Sequence, residues 1–301
     1  MKKFWMGISA LVGLLIVIFL LALVPLRSFG THEKPIRVVT SLNFYGEAAK
    51  QVAGKYGQVT SIIDNDSVDP HEYTPSTKDG RNISNANLVI ANGLGYDHWL
   101  NKLAKSNGAK SVTTITVGTD IAHKKDGDNE HIWYQPDTMK KLTNKLADQY
   151  AKMDPDHASY YRSRAKAYLK SLQKLDQQIA TVKQNVQADQ SVAVSEPVFD
   201  YALANLGYKV SDSHFAKAIE DGNDPSPKDV SELQDAIKGH KIAFFVENSQ
   251  TDDKVVTNLV KLAKKNNVPV LKVTESKPND KTYSQWMMSQ YQALAKIQKG
   301  E

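Results

Sequence analysis

The chain has 301 residues, of which 24% are charged and 41% hydrophobic, with a formal net charge of +5. That length suits two domains that each bury a core and excludes a single small module. The charge falls to +2 once Lys2, Lys3 and Arg27 are set aside (35 basic residues against 33 acidic), so no basic stripe points to nucleic acid.

Phe4 to Leu26 is an apolar run behind Lys2 and Lys3, about the length that crosses a hydrocarbon core. The lysines hold the N-terminus inside, so everything beyond Arg27 is expected outside the cytoplasm. Ser28-Phe29-Gly30 offers small residues to a signal peptidase, although the run exceeds a usual signal core. Residues 1–30 therefore read as a signal segment or a retained membrane anchor. The chain has no cysteine, which excludes thiolate metal sites, cysteine nucleophiles and a lipid-bearing cysteine.

Beyond a polar tether at Thr31 to Pro35, strands alternate with helices. Ile36 to Ser41 reads as a buried strand, Tyr45 to Ala53 as a helix and Val59 to Ile63 as a second strand. The loop Asp69-Pro70-His71-Glu72-Tyr73-Thr74-Pro75-Ser76 follows, then a helix over Asp79 to Ala86 and a third strand at Leu88 to Asn92. Tyr96 to Lys105 reads as helix and Val112 to Val117 as a fourth strand. His123 to Glu130 is rich in charge and glycine and is expected to be a mobile surface loop.

From Pro136 the pattern turns to long charged helices, broken once at Asp154-Pro155-Asp156, where Pro suits the first turn of a new helix. That second helix, roughly Pro155 to Gln187, would be about 45 Å long. Tyr160, Ala165, Leu169, Leu172 and Leu175 are expected to form its packed face. The second half then replays the first: the strand at Val192 to Ser195 parallels that at Val38 to Ser41, Ile242 to Val246 parallels Leu88 to Ala91, and Val268 to Val273 parallels the Val112 strand. Asp224-Pro225-Ser226-Pro227-Lys228-Asp229 repeats the Asp-Pro, Ser and Lys-Asp elements of the Asp69 to Asp79 phrase without its histidine. The expected fold is α/β, two similar lobes with parallel sheets flanked by helices, joined by one long backbone helix. The lobes are read at residues 31–140 and 189–301, with the linker at 141–188.

In open parallel sheets ligands bind beyond the carboxyl ends of the strands. Four candidates lie there: His71, His131, Glu196 and Glu275. Converging across a cleft, two imidazoles and two carboxylates would hold a divalent metal with mixed nitrogen and oxygen donors. Each also has a structural explanation taken singly. A loop histidine is commonly solvated, Glu196 before Pro197 could favour a helix N-terminus, and Glu275 could be a turn residue. Trp133 and Tyr134, after His131, could wall a pocket or fill a core. His71 stands apart, because it lies in an insertion relative to the second half, held between Pro70 and Pro75. His32, His123, His157, His214 and His240 lie among polar neighbours and receive no role. No Gly-rich phosphate loop, Gly-x-Ser-x-Gly elbow or His-Glu-x-x-His pattern is present, so no enzyme is expected. A metal-dependent hydrolase would need a spare base, and Glu72 or Glu130 has no supporting motif.

The phrase from Asp69 to Thr77, Leu88-Val89-Ile90-Ala91-Asn92-Gly93-Leu94-Gly95-Tyr96-Asp97-His98-Trp99, His131-Ile132-Trp133, and Val273-Thr274-Glu275-Ser276 with Tyr283-Ser284-Gln285-Trp286-Met287 carry a resemblance. The chain resembles the metal-binding proteins of bacterial ABC importers, the cluster A-I family of zinc and manganese binders partly described as adhesins. The resemblance covers nearly all of Ile36 to Lys299. It implies one metal, Zn2+ or Mn2+, held as transported ligand between the lobes by His71, His131, Glu196 and Glu275 and delivered to a membrane permease. It further implies a monomer on the outer face of the membrane, anchored by the N-terminal segment or secreted, and no nucleic-acid partner. An adhesin with a vestigial site is the alternative. The chain departs from the family in lacking the lipoprotein cysteine and the histidine-rich loop, and in carrying Glu275 where Asp is usual. A long stiff helix between the lobes predicts a small opening on metal release.

Overall fold

A computed structural model describes residues 35–65, 68, 73–106, 112–187 and 190–301. The N-terminal apolar run and His71 lie outside the described residues. Among the described residues no helix is long and apolar enough to cross a membrane.

The first sheet is built around β1 (Ile36–Leu42), buried at every position but Arg37. It pairs in parallel with β2 (Gly57–Ile63) on one side and β3 (Leu88–Ala91) on the other, with Val38 opposite Val59 and Val39 opposite Val89. β4 (Thr113–Thr116) completes the order β2-β1-β3-β4. The crossover helices are α1 (Asn43–Ala53), α2 (Thr77–Ser84) and α3 (His98–Ser106). The second sheet repeats this order as β6-β5-β7-β8, built from β5 (Ser191–Val194), β6 (Lys209–Val210), β7 (Phe245–Asn248) and β8 (Val270–Val273). Its crossovers are α6 (Asp200–Leu206), α7 (Ser213–Glu220), α8 (Pro227–Lys238) and α9 (Lys254–Lys265). Identical strand order in both sheets is what the repeated sequence pattern predicts. Strand edges shift by one to three residues: β7 begins at Phe245 rather than Ile242 and β8 at Val270 rather than Val268, and Ile242 and Val268 pack into the smaller core under α8 and α9.

The phrase shared by Ser76–Asp79 and Ser226–Asp229 has a local cause. Ser76 caps α2, its hydroxyl donating to Asp79 Oδ2 at 2.7 Å, and Ser226 caps α8 with the same 2.7 Å bond to Asp229 Oδ2. In each case the aspartate amide donates back to the serine oxygen, which satisfies one amide left open at the helix start.

Between the sheets run α4 (Thr138–Met153) and α5 (Ala158–Gln184). Asp154 ends α4 and accepts from Tyr161 OH at 2.5 Å and His157 Nδ1 at 2.8 Å. The chain makes a 3-10 turn at Pro155–His157 before α5 begins, so the long helix is 27 residues, about 40 Å, rather than running from Pro155 to Gln187. Its buried stripe is Tyr161, Ala165, Tyr168, Leu172, Leu175, Ile179 and Val182. The expected Tyr160 and Leu169 are only half-buried, each one position off this stripe. Alternating steps of four and three keep the stripe straight against its neighbours, and Tyr161 and Tyr168 are the members that fit.

The last helix, α10 (Tyr283–Lys299), is started by a Thr282–Gln285 capping box and returns from the second sheet to the first. Tyr283 OH donates to Trp133 O at 2.6 Å, and its amide donates to Glu47 Oε2 at 2.9 Å. Phe44 lies 5.1 Å from Trp133 and 5.7 Å from Trp286 between ring centres, an aromatic seam between the halves. Trp133 and Tyr134 are fully buried there, and Tyr134 also lines a small cavity with Met139, Leu172 and Tyr291.

Candidate metal centre

The first sheet positions two side chains. After β3 the chain turns through Gly93, Leu94 and Gly95, all at positive φ (79°, 60° and 97°). The buried Asp97 carboxylate closes this turn by accepting the amides of Asn92 at 2.6 Å and Gly93 at 2.8 Å. Burial pushes the Asp97 carboxyl up, while the Ser41 hydroxyl and these amides oppose the shift. The turn aims Tyr96 at the second sheet, where its phenol donates to Glu275 Oε1 at 2.6 Å. Asn92 holds the next segment: its Nδ2 donates to Glu130 O at 3.0 Å and its Oδ1 accepts from Tyr45 OH at 2.6 Å.

His131 follows Glu130 directly and is 1% exposed. Asn129 Nδ2 donates to Pro197 O at 2.7 Å, which turns Asn129 Oδ1 toward His131, 2.9 Å from Nδ1. An oxygen that only accepts places the imidazole proton on Nδ1 and leaves the Nε2 lone pair for a ligand. Nε2 lies 3.9 Å from Glu275 Oε1. The segment His123–Glu130, expected to be mobile, is exposed at His123 and from Lys125 to Gly127 but anchored at its end, where Asn129 O accepts from Tyr201 OH at 2.8 Å.

The second sheet brings three carboxylates. Glu196 leaves β5, with Asn248 Nδ2 donating to its Oε2 at 2.7 Å and the Thr251 hydroxyl donating to its Oε1. Glu275 leaves β8, its amide donating to Gln250 Oε1 at 2.7 Å. Glu220 ends α7, with Oε1 at 3.6 Å from His131 Nδ1 and Oε2 at 2.8 Å from Lys217 Nζ. Burial works to lower the Lys217 pKa, but Asp221 and Glu220 outweigh it and raise the ammonium above its usual value.

The structure thus brings His131 and Glu275 together and ties Glu196 to the loop that also holds Glu275. Among the described residues, Glu130, His131 and Glu220 form a group that could hold a metal ion, each offering one atom within 4.8 Å of the others. Glu220 had no place in the sequence reading. One local signal marks it: Glu220 and Asp221 sit at a helix C-terminus, where negative charge opposes the helix dipole. Tyr96 stood in the Leu88–Trp99 phrase without an assigned role.

A family model described as ZnuA, zinc-uptake complex component A, periplasmic, matches residues 38–297. The chain belongs to that family. Among family relatives, the manganese-binding lipoprotein MntA of Halalkalibacterium halodurans is 28% identical over 226 residues, 73% of this chain and 74% of that protein. The high-affinity zinc uptake system protein ZnuA of Bacillus subtilis is 25% identical over 231 residues, 70% of this chain and 71% of that protein. The solved periplasmic zinc-binding protein TroA of Treponema pallidum superposes with a TM-score of 0.71 at 20% identity, covering 87% of this chain and 98% of that one. That likeness carries the fold: paired parallel sheets with helices on their faces.

Proposed function

We propose that this family member is an extracytoplasmic solute-binding protein that captures a divalent transition metal, Zn2+ or Mn2+, between its two sheets and hands it to an ABC permease. The observation that carries the reading is the approach of His131 Nε2 to Glu275 Oε1, 3.9 Å apart and contributed by opposite halves. A ligand set of His71, His131, Glu196 and Glu275 offers two neutral nitrogens and two carboxylates, whose charge balances a divalent cation. Metal bound by both halves stabilises their closed arrangement, and that arrangement is what a permease would read.

Zinc stands above manganese in intrinsic affinity for such donors, so the purified protein is expected to bind zinc more tightly whatever it carries in the cell. The relatives are named as binding and uptake proteins, which agrees with the expectation of no enzymatic activity. MntA is named a lipoprotein, and this chain has no cysteine to carry lipid, so Phe4 to Leu26 is proposed as anchor or cleaved signal instead. An adhesin with a vestigial site is not favoured, since burying Glu275 beside His131 costs free energy that a bound cation offsets.

Calorimetry of the metal-free protein with Zn2+ and Mn2+ tests the reading. His131→Ala and Glu275→Ala should each abolish tight binding of both metals, and retention of wild-type affinity by either variant would overturn it. Elemental analysis of protein taken from its own membrane identifies the metal it carries.

A further inference from the structure

Asn129 stands two residues before His131, and its side chain is held at both ends. Nδ2 donates to Pro197 O at 2.7 Å, while Oδ1 lies 2.8 Å from the His131 amide nitrogen and 2.9 Å from His131 Nδ1. A carbonyl oxygen only accepts and a backbone amide only donates, so these contacts together fix which end of the Asn129 amide faces the imidazole. Tyr201, in α6, adds a bond from its phenol to Asn129 O at 2.8 Å. Pro197 and Tyr201 both belong to the second half, which therefore orients an amide that the first half carries.

Two carboxylates compete for the imidazole proton from opposite sides. Glu220 Oε1 lies 3.6 Å from Nδ1, and Glu275 Oε1 lies 3.9 Å from Nε2. Each is held by a donor from elsewhere: Lys217 Nζ is 2.8 Å from Glu220 Oε2, and Tyr96 OH donates to Glu275 Oε1 at 2.6 Å. Coulomb energy varies only as the inverse of distance, so at such similar separations the two pulls nearly cancel. The Asn129 oxygen then decides, because it accepts from Nδ1 within hydrogen-bonding range. An unsupported neutral histidine carries its proton mainly on Nε2, the nitrogen that faces Glu275 and must be bare to take a metal.

On the reading that His131 is a metal ligand, we propose that Asn129 is a positioning residue that holds the His131 proton on Nδ1 and so keeps Nε2 open for the metal. Asn129 acts through His131 and touches no metal itself. Without its oxygen the proton shifts to Nε2, and metal binding must first move it back. That requirement is the same for Zn2+ and Mn2+, so Asn129 sets the affinity for both and does not choose between them.

The test reads the tautomer directly. Long-range 1H–15N spectra of the metal-free full-length protein, labelled at histidine and kept at a pH where the ring is neutral, distinguish a protonated ring nitrogen from a bare one. His131→Ala identifies the His131 signals among the eight histidines. Wild type should carry the proton on Nδ1. Asn129→Ala should move it mainly to Nε2 and weaken Zn2+ and Mn2+ binding by about 10–100-fold in calorimetry. Asn129→Asp keeps an acceptor beside Nδ1, so its proton should stay there and its affinity loss should be less than about 10-fold. Asn129→Leu, close to asparagine in shape, serves if the alanine variant melts at a lower temperature without metal.

A proton on Nε2 in wild type would overturn the proposal. So would an unmoved proton in the alanine variant, which would assign its support to Glu220, or a moved proton with unchanged affinity. His131→Ala separates the two levels of argument. If it leaves both affinities unchanged, the ligand reading fails and takes this inference with it. If it abolishes binding while Asn129→Ala alters neither tautomer nor affinity, the inference alone fails.

Discussion

Tyr96 of the first half donates its phenol hydrogen to Oε1 of Glu275 of the second half at 2.6 Å, in a buried setting. The same oxygen lies 3.9 Å from His131 Nε2, so Tyr96 decides where the carboxylate waits. Hydrogen bonds to charged groups contribute about 1.5–3 kcal/mol. Tyr96→Phe is therefore expected to lower the stability of the metal-free protein by about 2 kcal/mol. Denaturant unfolding measures this, and an unchanged midpoint would show that the bond contributes nothing across the halves.

Glu220 and Glu275 approach opposite nitrogens of one imidazole, Nδ1 at 3.6 Å and Nε2 at 3.9 Å. The first stands where it can support the Nδ1 proton, the second where a metal would bind. Glu220→Ala should weaken metal binding by about 10-fold, the low end for groups behind a ligand, while Glu275→Ala should cost far more. Because Nε2 must be unprotonated to bind, affinity in the wild type should fall as the pH is lowered and the imidazole takes up a second proton. Calorimetry at several pH values checks both statements, and equal losses in the two variants would place Glu220 among the ligands.

The sheet order and the internal repeat were legible because strand and helix periods alternate cleanly from Ile36 onward. His131, Glu196 and Glu275 were candidates because they lie in connections that leave strands, where open parallel sheets place their ligands. Other features depend on packing that the sequence does not encode locally. Tyr160 and Tyr161 are adjacent aromatics in a polar helix, and only Asp154 and the neighbouring helices choose between them. Glu220 is remote from His131 in sequence and meets it through docking of the two halves. The loop at Asn248–Thr251 reads as an ordinary polar turn until Glu196 and Glu275 are seen to depend on it.

Gly93 carries a requirement that no other residue meets. Its φ is +79°, and a Cβ there would lie 2.3 Å from Thr116 Cγ2 on the neighbouring strand's end. Gly93→Ala should destabilise the protein by about 1–3 kcal/mol. It should also loosen the turn that positions Tyr96 and Asp97. Chemical denaturation gives the first effect, and tyrosine fluorescence or amide exchange across 92–97 gives the second. A variant as stable as wild type would mean that the turn has a second conformation free of this contact.

The long helix bears on how far the halves can separate. Its stripe from Tyr161 to Val182 is buried along its whole length, and the aromatic seam of Phe44, Trp133 and Trp286 lies beside it. A hinge needs a few residues that can absorb a large backbone change, and a packed helix offers none in its interior. Solution scattering of metal-free and metal-loaded protein should accordingly give nearly the same radius of gyration. A large difference would locate a hinge outside α5 and overturn the stiff-linker mechanism.

Asp212 supplies a pH dependence separate from the metal. Both its carboxylate oxygens lie 3.1 Å from Val194 N. Burial pushes its carboxyl up to about 7 despite that bond, and Asp200, itself pushed up to about 6 by burial, adds to the shift. In the unfolded chain an aspartate titrates near 3.9, so between about pH 4 and 7 the native state holds protons that the unfolded state has released. The stabilising contribution is full below about pH 4 and is lost as pH rises through about 7. Its size should be on the order of 2 kcal/mol, given the partial exposure of the site. Asp212→Asn removes the ionisation, so its stability should decline less than that of wild type between pH 5 and 8. Urea unfolding of both metal-free proteins across that range tests this, and a constant difference between them would show that Asp212 keeps an ordinary carboxylate pKa.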